Sequence, residues 1–267
     1  LKLPLRHWDA DKPKAVIVAL HGMSDYSEAF EMPGPWWAAR GIEVYAYDQR
    51  GFGHAPDPML WAGADVMRSD LDDFVEAART KYPGVPVYAM GESMGGAVVL
   101  SSLASENPPH VDGVILVAPA VWSRSDMPLS YRVALWIGAH TLPWVHLSAN
   151  GLDIWPTDNI PVLRKLSRDP VFQHDARIDQ VYGLADLMDQ AHSAPQRMTA
   201  NPPILFLYGD MDQVIPAKPT GAVIAALGNR ATVNEYPKGY HMLLRDLEGE
   251  TVWKDVAGWI GKPPPPH

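Results

Sequence analysis

Six short apolar runs, punctuated by longer helical patterns, constrain this chain more than any other feature. AVIVAL (Ala15 to Leu20), EVYAYD (Glu43 to Asp48), VPVYAM (Val85 to Met90), GVILVAP (Gly113 to Pro119), PILFLYG (Pro203 to Gly209) and ATVNEY (Ala231 to Tyr236) read as strands. Most of them are near-continuous apolar runs of the kind that belongs to parallel strands buried on both faces. The stretches GPWWAARG, VMRSDLDDFVEAARTKYPG and GGAVVLSSLASENP between them read as helices, each closed by Gly or Pro. Strand, helix, strand repeated in this way predicts an open, mostly parallel sheet flanked by helices on both faces. In such sheets ligands bind beyond the carboxyl ends of the strands.

Between 120 and 201 the rhythm stops. No buried strand is legible there, while Trp122, Trp136, Trp144 and Trp155, several prolines and the helical patterns YRVALWIGAHTLP and IDQVYGLADLMDQA are. An insertion at the active end of a sheet reads as a helical cap over the site, the alternative being a small second domain. The expected organisation is therefore core over 1–119, cap over 120–201, core again over 202–262 and a disordered, proline-rich tail over 263–267.

The third strand runs straight into GESMGG. Gly91 and Gly95 bracket Ser93 where a strand pattern becomes a helix pattern. A reversal that tight needs small residues, holds its central residue in a strained conformation, and lifts Ser93 Oγ clear of the sheet edge. A G-x-S-x-G run alone also occurs as an ordinary Gly-rich loop, so the rest of the chain has to supply a base, an acid and oxyanion donors. A serine hydroxyl needs a neighbouring imidazole to take its proton and a carboxylate to fix the imidazole tautomer. In sheets carrying this nucleophile turn the chain order is Ser, then Asp or Glu, then His. DMDQVIP follows the strand ending at Gly209; the spacing favours Asp212 as the acid, with Asp210 as the alternative or as a turn residue. Of the ten histidines, only His241, in KGYHMLLRD, follows the last strand without lying at the chain end. The oxyanion donors are expected to be the backbone N–H groups of Met94, at the helix start, and Met23, in HGMSDYS after the first strand. His21 reads as a buried structural residue beside them.

Composition removes several function classes. A formal net charge of -9, with no Lys/Arg run, excludes nucleic acid as a partner. Without cysteine there is no disulfide framework, thiolate nucleophile or Cys-ligated metal, and the redox compartment stays open. No apolar stretch reaches the roughly 18 residues of a membrane span. The first residue is Leu1, read as a processed or trimmed start, so cytoplasmic and exported locations both remain.

Taken in order, HGM, YDQRGFG, GESMGG, Asp212 and GYHMLLRD resemble the α/β-hydrolase superfamily, and more narrowly its lysophospholipase and monoacylglycerol lipase branch, also grouped with the serine aminopeptidase-like hydrolases. The resemblance spans about Leu20 to Arg245 and is weakest in the cap. It implies an α/β-hydrolase fold, Ser93 as nucleophile, Asp212 as acid and His241 as base. It further implies a monoester lipid substrate, an apolar acyl tunnel under the cap, where Trp122, Trp136 and Trp144 are candidate lining residues, and no metal or organic cofactor. GFGH departs from the pattern by placing His54 where serine is frequent. Peripheral membrane contact and any oligomeric state stay open; Phe30, Met32, Trp36 and Trp37 fit either pocket lining, lipid contact or plain helix packing.

Rival chemistries on the same residues are amide cleavage by an aminopeptidase, short-chain ester cleavage, and acyl transfer to an alcohol other than water. An aminopeptidase would need an acidic anchor for the peptide amine, for which Asp126, Asp153, Asp158, Asp186 and Asp189 are available. A non-catalytic small-molecule receptor is the remaining alternative. Dehalogenation is excluded, because it requires a carboxylate at the position of Ser93.

Overall fold

A computed structural model describes residues 2–148 and 153–261. The predicted tail at 263–267 lies outside the described residues. The central sheet has seven strands in the order β1-β3-β2-β4-β5-β8-β9. They are β1 (Leu5–Trp8), β2 (Ala15–Leu20), β3 (Ile42–Tyr47), β4 (Val87–Glu92), β5 (Gly113–Val117), β8 (Ile204–Gly209) and β9 (Ala231–Tyr236). All neighbours pair in parallel except β1, which runs antiparallel along β3. The fold is thus an α/β-hydrolase fold with a mostly parallel sheet, as the strand pattern predicts. Strands β2, β4, β5 and β8 are buried at every residue, which is why each reads as an unbroken apolar run. Strand β1 leaves no local mark: LRHW at a sheet edge is mostly exposed and has neither an apolar run nor an alternating pattern.

Helices α1 (Pro33–Ala38) and α8 (Gly249–Ile260) cover one face of the sheet. Their core includes Ile17, Ala19, Trp37, Val44, Leu205 and Val252. Phe30 and Trp37 are wholly buried, and the Trp37 indole N–H donates to Trp253 O, so this segment packs the fold. Helices α2 (Ala64–Lys81), α3 (Met94–Ser102) and α7 (Ala217–Leu227) cover the other face, with Val16, Val18, Leu20, Leu71, Val98 and Phe206 between. Every residue of α3 is buried, because this helix is covered both by the sheet and by the insertion.

That insertion lies between β5 and β8. It holds α4 (Leu129–Thr141), α5 (Ile160–Leu166) and α6 (Ile178–Ser193), and α6 packs on α3 and α4. It also contains a two-stranded antiparallel ribbon of β6 (His146–Ser148) and β7 (Asp175–Arg177). Neither strand is buried, so neither leaves the apolar signature by which a strand is read from sequence.

Candidate active site

Strand β4 ends at Glu92 and α3 begins at Met94, leaving Ser93 alone in the reversal with φ 51° and ψ −114°. A non-glycine residue is held there only when its surroundings over-determine it. The surroundings are two close backbone approaches. A Cβ on Gly91 would stand 2.3 Å from the Gly95 carbonyl carbon, and one on Gly95 would stand 2.3 Å from Leu20 O. Both glycines are required by contact, and α3 sits hard against β2 and β4 as a result. The Gly95 N–H donates to His21 O, whereas the Met94 N–H has no protein acceptor among the described residues.

Beside this turn the loop after β2 passes so closely that a Cβ on Gly22 would lie 3.2 Å from Ser93 Cβ. The Met23 N–H, like that of Met94, finds no acceptor among the described residues. The loop is tied down on all sides. Gln49 N–H donates to His21 Nε2 at 2.9 Å and the Gln49 side-chain amide donates to His21 O at 2.8 Å. With Nε2 accepting, the proton of His21 is on Nδ1, which donates to Gly22 O at 2.8 Å. Burial pushes the His21 pKa down, against the opposing pull of that carbonyl, so the imidazole stays neutral. Gln173 N–H, from the insertion, donates to the carbonyl of Ser24, a residue with φ 72°. His54 causes no disruption: its backbone N–H joins that of Ser27 on the Asp48 carboxylate. Burial alone would push the Asp48 carboxyl up, but these hydrogen bonds hold it below the usual carboxylate range.

Across the sheet, β8 and β9 deliver two further loops. His241 Nε2 lies 2.9 Å from Ser93 Oγ, and His241 Nδ1 lies 2.8 Å from Asp212 Oδ2. The other Asp212 oxygen accepts from the N–H groups of Val214 and Ile215, which fixes the carboxylate plane. Asp212 and His241 side chains are buried while Ser93 keeps partial exposure. Asp210 is exposed, and its backbone N–H donates to Tyr236 O. Three residues 29 and 148 positions apart are thus brought into one hydrogen-bonded chain. Such a chain can take a proton from a hydroxyl and return it to a leaving group.

Beneath these groups lies a charged cluster that the motifs did not announce. Arg245, buried, places Nη1 2.6 Å from Asp25 Oδ2 and Nη2 3.3 Å from Glu92 Oε2. It ties together the loop after β2, the end of β4 and the segment after His241. Burial raises the Glu92 carboxyl pKa even though Arg245 opposes it, and Glu92 Oε1 has no hydrogen-bond partner among the described residues. The available sequence signal was positional: Glu92 sits inside a buried strand end and Arg245 follows LeuLeu, so both charges had to find partners inside the protein.

Trp122 packs against the core with partial burial, while Trp136 and Trp144 are 54% and 58% exposed. The acidic residues considered as an amine anchor are largely occupied: Asp186 and Asp189 pair with Arg124, and Asp158 accepts from Leu247 N–H. Among the described residues, His7, Asp9 and Glu43 could offer ligand atoms to a metal ion within 4.8 Å of one another. They lie on the far edge of the sheet, at β1 and β3, and Glu43 already accepts from Ala10 N–H and Tyr82 OH.

Residues 11–248 match the family described as serine aminopeptidase, S33. The chain belongs to the serine aminopeptidase S33 family. This S33 chain is 28% identical over 266 residues to a monoacylglycerol lipase of Mycolicibacterium smegmatis, covering 95% of this chain and 90% of that protein. To the monoglyceride lipase of Homo sapiens it is 26% identical over 271 residues, covering 96% and 86%. Its fold superposes on the crystal structure of Paleococcus ferrophilus monoacylglycerol lipase with a TM-score of 0.82 at 22% identity, covering 97% of this chain and 98% of the other. The S33 chain is a serine hydrolase of the lipase and esterase type. Among its described residues no helix is long and apolar enough to cross a membrane.

Proposed function

We propose that the protein hydrolyses carboxylic esters of monoacyl lipids, of the monoacylglycerol or lysophospholipid type, with Ser93 as nucleophile, His241 as general base and acid, and Asp212 as the carboxylate that orients it. The observation that carries this reading is the hydrogen-bonded chain from Ser93 Oγ through His241 to Asp212 on a strained turn. Near-full-length similarity to proteins named monoacylglycerol and monoglyceride lipases supports the substrate class.

Ser93 Oγ attacks the ester carbonyl as His241 Nε2 takes its proton, and the tetrahedral oxyanion is held by the Met23 and Met94 N–H groups. Asp212 accepts from Nδ1–H and stabilises the imidazolium. Collapse of the intermediate breaks the ester C–O bond, and His241 returns the proton to the departing alcohol. Water then attacks the acyl-enzyme with His241 again as base, releasing the fatty acid and restoring Ser93. Nothing in these steps calls for a metal or organic cofactor. Ester rather than amide cleavage is favoured by the insertion itself, whose Asp186 and Asp189 are committed to Arg124. Exposed apolar side chains on the insertion, among them Leu129, Tyr131, Trp136 and Trp144, support contact with the surface of a lipid aggregate.

The test is hydrolysis of monoacylglycerols and p-nitrophenyl esters of rising acyl length, beside an aminoacyl anilide, by wild type and Ser93→Ala. Turnover that peaks at medium or long chains and vanishes in the variant is expected. Dominant anilide cleavage, or activity on acetyl esters alone, would overturn the lipid assignment.

A further inference from the structure

Five consecutive residues of the insertion each hydrogen-bond to a loop that carries the acid or the base. Trp155 N–H donates to the Gln213 side chain at 3.0 Å, next to Asp212. Pro156 O accepts from Met242 N–H at 2.8 Å, next to His241. Thr157 Oγ1 donates to Asp246 Oδ1 at 2.6 Å, Asp158 Oδ1 accepts from Leu247 N–H at 2.8 Å, and the Asn159 amide donates to Arg245 O at 2.8 Å. Thr157 is wholly buried, and Asn159, Asp246 and His241 are nearly so. Asp246 completes the path: its second oxygen accepts from the backbone N–H of Tyr240, the residue before His241, at 2.7 Å.

We infer that residues 155–159 form a strap that positions the base, acting from Thr157 through the Asp246 carboxylate onto the backbone at Tyr240. The path does not touch the substrate carbonyl. It fixes where the His241 backbone lies relative to Ser93, and His241 Nε2 must hold its approach to Oγ through every proton transfer. A carboxylate accepting from both sides is a stiff link, and loss of the Thr157 hydroxyl leaves a buried oxygen without its donor. Such a link gives one part of the insertion a role separate from covering the substrate: the strap belongs mechanically to the base.

This inference rests on His241 being the base, so the experiment includes His241→Ala. Steady-state hydrolysis of p-nitrophenyl butyrate, a soluble ester that needs no lipid surface, is measured for Thr157→Val, Thr157→Ser and Asn159→Ala. The expected result is a fall in kcat of about tenfold for Thr157→Val with KM within about twofold, recovery of kcat in Thr157→Ser, and a smaller kcat loss in Asn159→Ala. Unchanged kcat in Thr157→Val, or a loss that Thr157→Ser fails to recover, overturns the strap. Should Thr157→Val not fold, Asn159→Ala decides by the same kcat criterion. Activity retained by His241→Ala would instead overturn the assignment of the base.

Discussion

At Asp212 one carboxylate oxygen is fully used by the Val214 and Ile215 N–H groups, and the other faces His241 Nδ1. An Asp212→Asn variant keeps that geometry but turns a donor toward Nδ1, forcing the proton onto Nε2, where a base is needed. A fall in kcat of about 10⁴-fold with little change in KM is expected, read by steady-state ester hydrolysis. Asp210→Ala, at an exposed side chain with no partner among the described residues, is expected to stay within about twofold of wild type; a large loss there would move the acid to Asp210. Beneath the site, Arg245→Met would strand the Asp25 and Glu92 carboxylates, and urea unfolding is expected to show a loss of about 3–5 kcal/mol. Ser93, Asp212 and His241 could be read from the sequence because each follows a recognisable strand at a characteristic offset. The Glu92–Arg245 contact could not, since it joins residues 153 positions apart through the shape of the folded core.

The elements that position these residues meet at backbone contacts rather than through side chains. In Gly95→Ala, the new methyl would collide with the Leu20 carbonyl, which cannot swing aside as a side-chain tip could. Helix α3 has to move, carrying Met94 N–H and Ser93 with it. Labelling by a fluorophosphonate is expected to slow at least about a hundredfold in this variant. Labelling at the wild-type rate in a folded protein would show that the turn tolerates the shift. The loop after β2 depends in turn on neutral His21. Below the ordinary histidine value of about 6.5 the unfolded chain takes up a proton that the buried ring refuses, so this group's contribution to stability falls as pH falls through that window. The thermal midpoint of wild type is expected to drop more steeply between pH 7 and pH 5.5 than that of His21→Gln. Equal slopes would mean that His21 takes up its proton equally in both states. Buried parallel strands and their helices were legible from apolar runs; β1, β6 and β7 were not, because exposed short strands are specified by the neighbour they pair with.

Seen as a whole, the protein is an acidic body that carries exposed aromatic and aliphatic side chains on its insertion. If those side chains engage lipid aggregates, the Trp136→Ala/Trp144→Ala double variant should lose activity on monoacylglycerol vesicles and keep it on p-nitrophenyl butyrate. Parallel losses on both substrates would assign the tryptophans to the insertion's own packing, where Trp136 already stacks on His140 at 4.4 Å. By itself the sequence determined the layered sheet, the turn that presents Ser93 and the loops that bear Asp212 and His241, because burial on both faces, close backbone approach and strand order all leave local marks. Only the tertiary structure decided how the insertion meets the core, how Arg245 pairs with Asp25 and Glu92, and that residues 155–159 hydrogen-bond to the loops bearing Asp212 and His241. Those contacts join segments that are remote in the chain, and a hydrogen bond between two such segments leaves no pattern in either one.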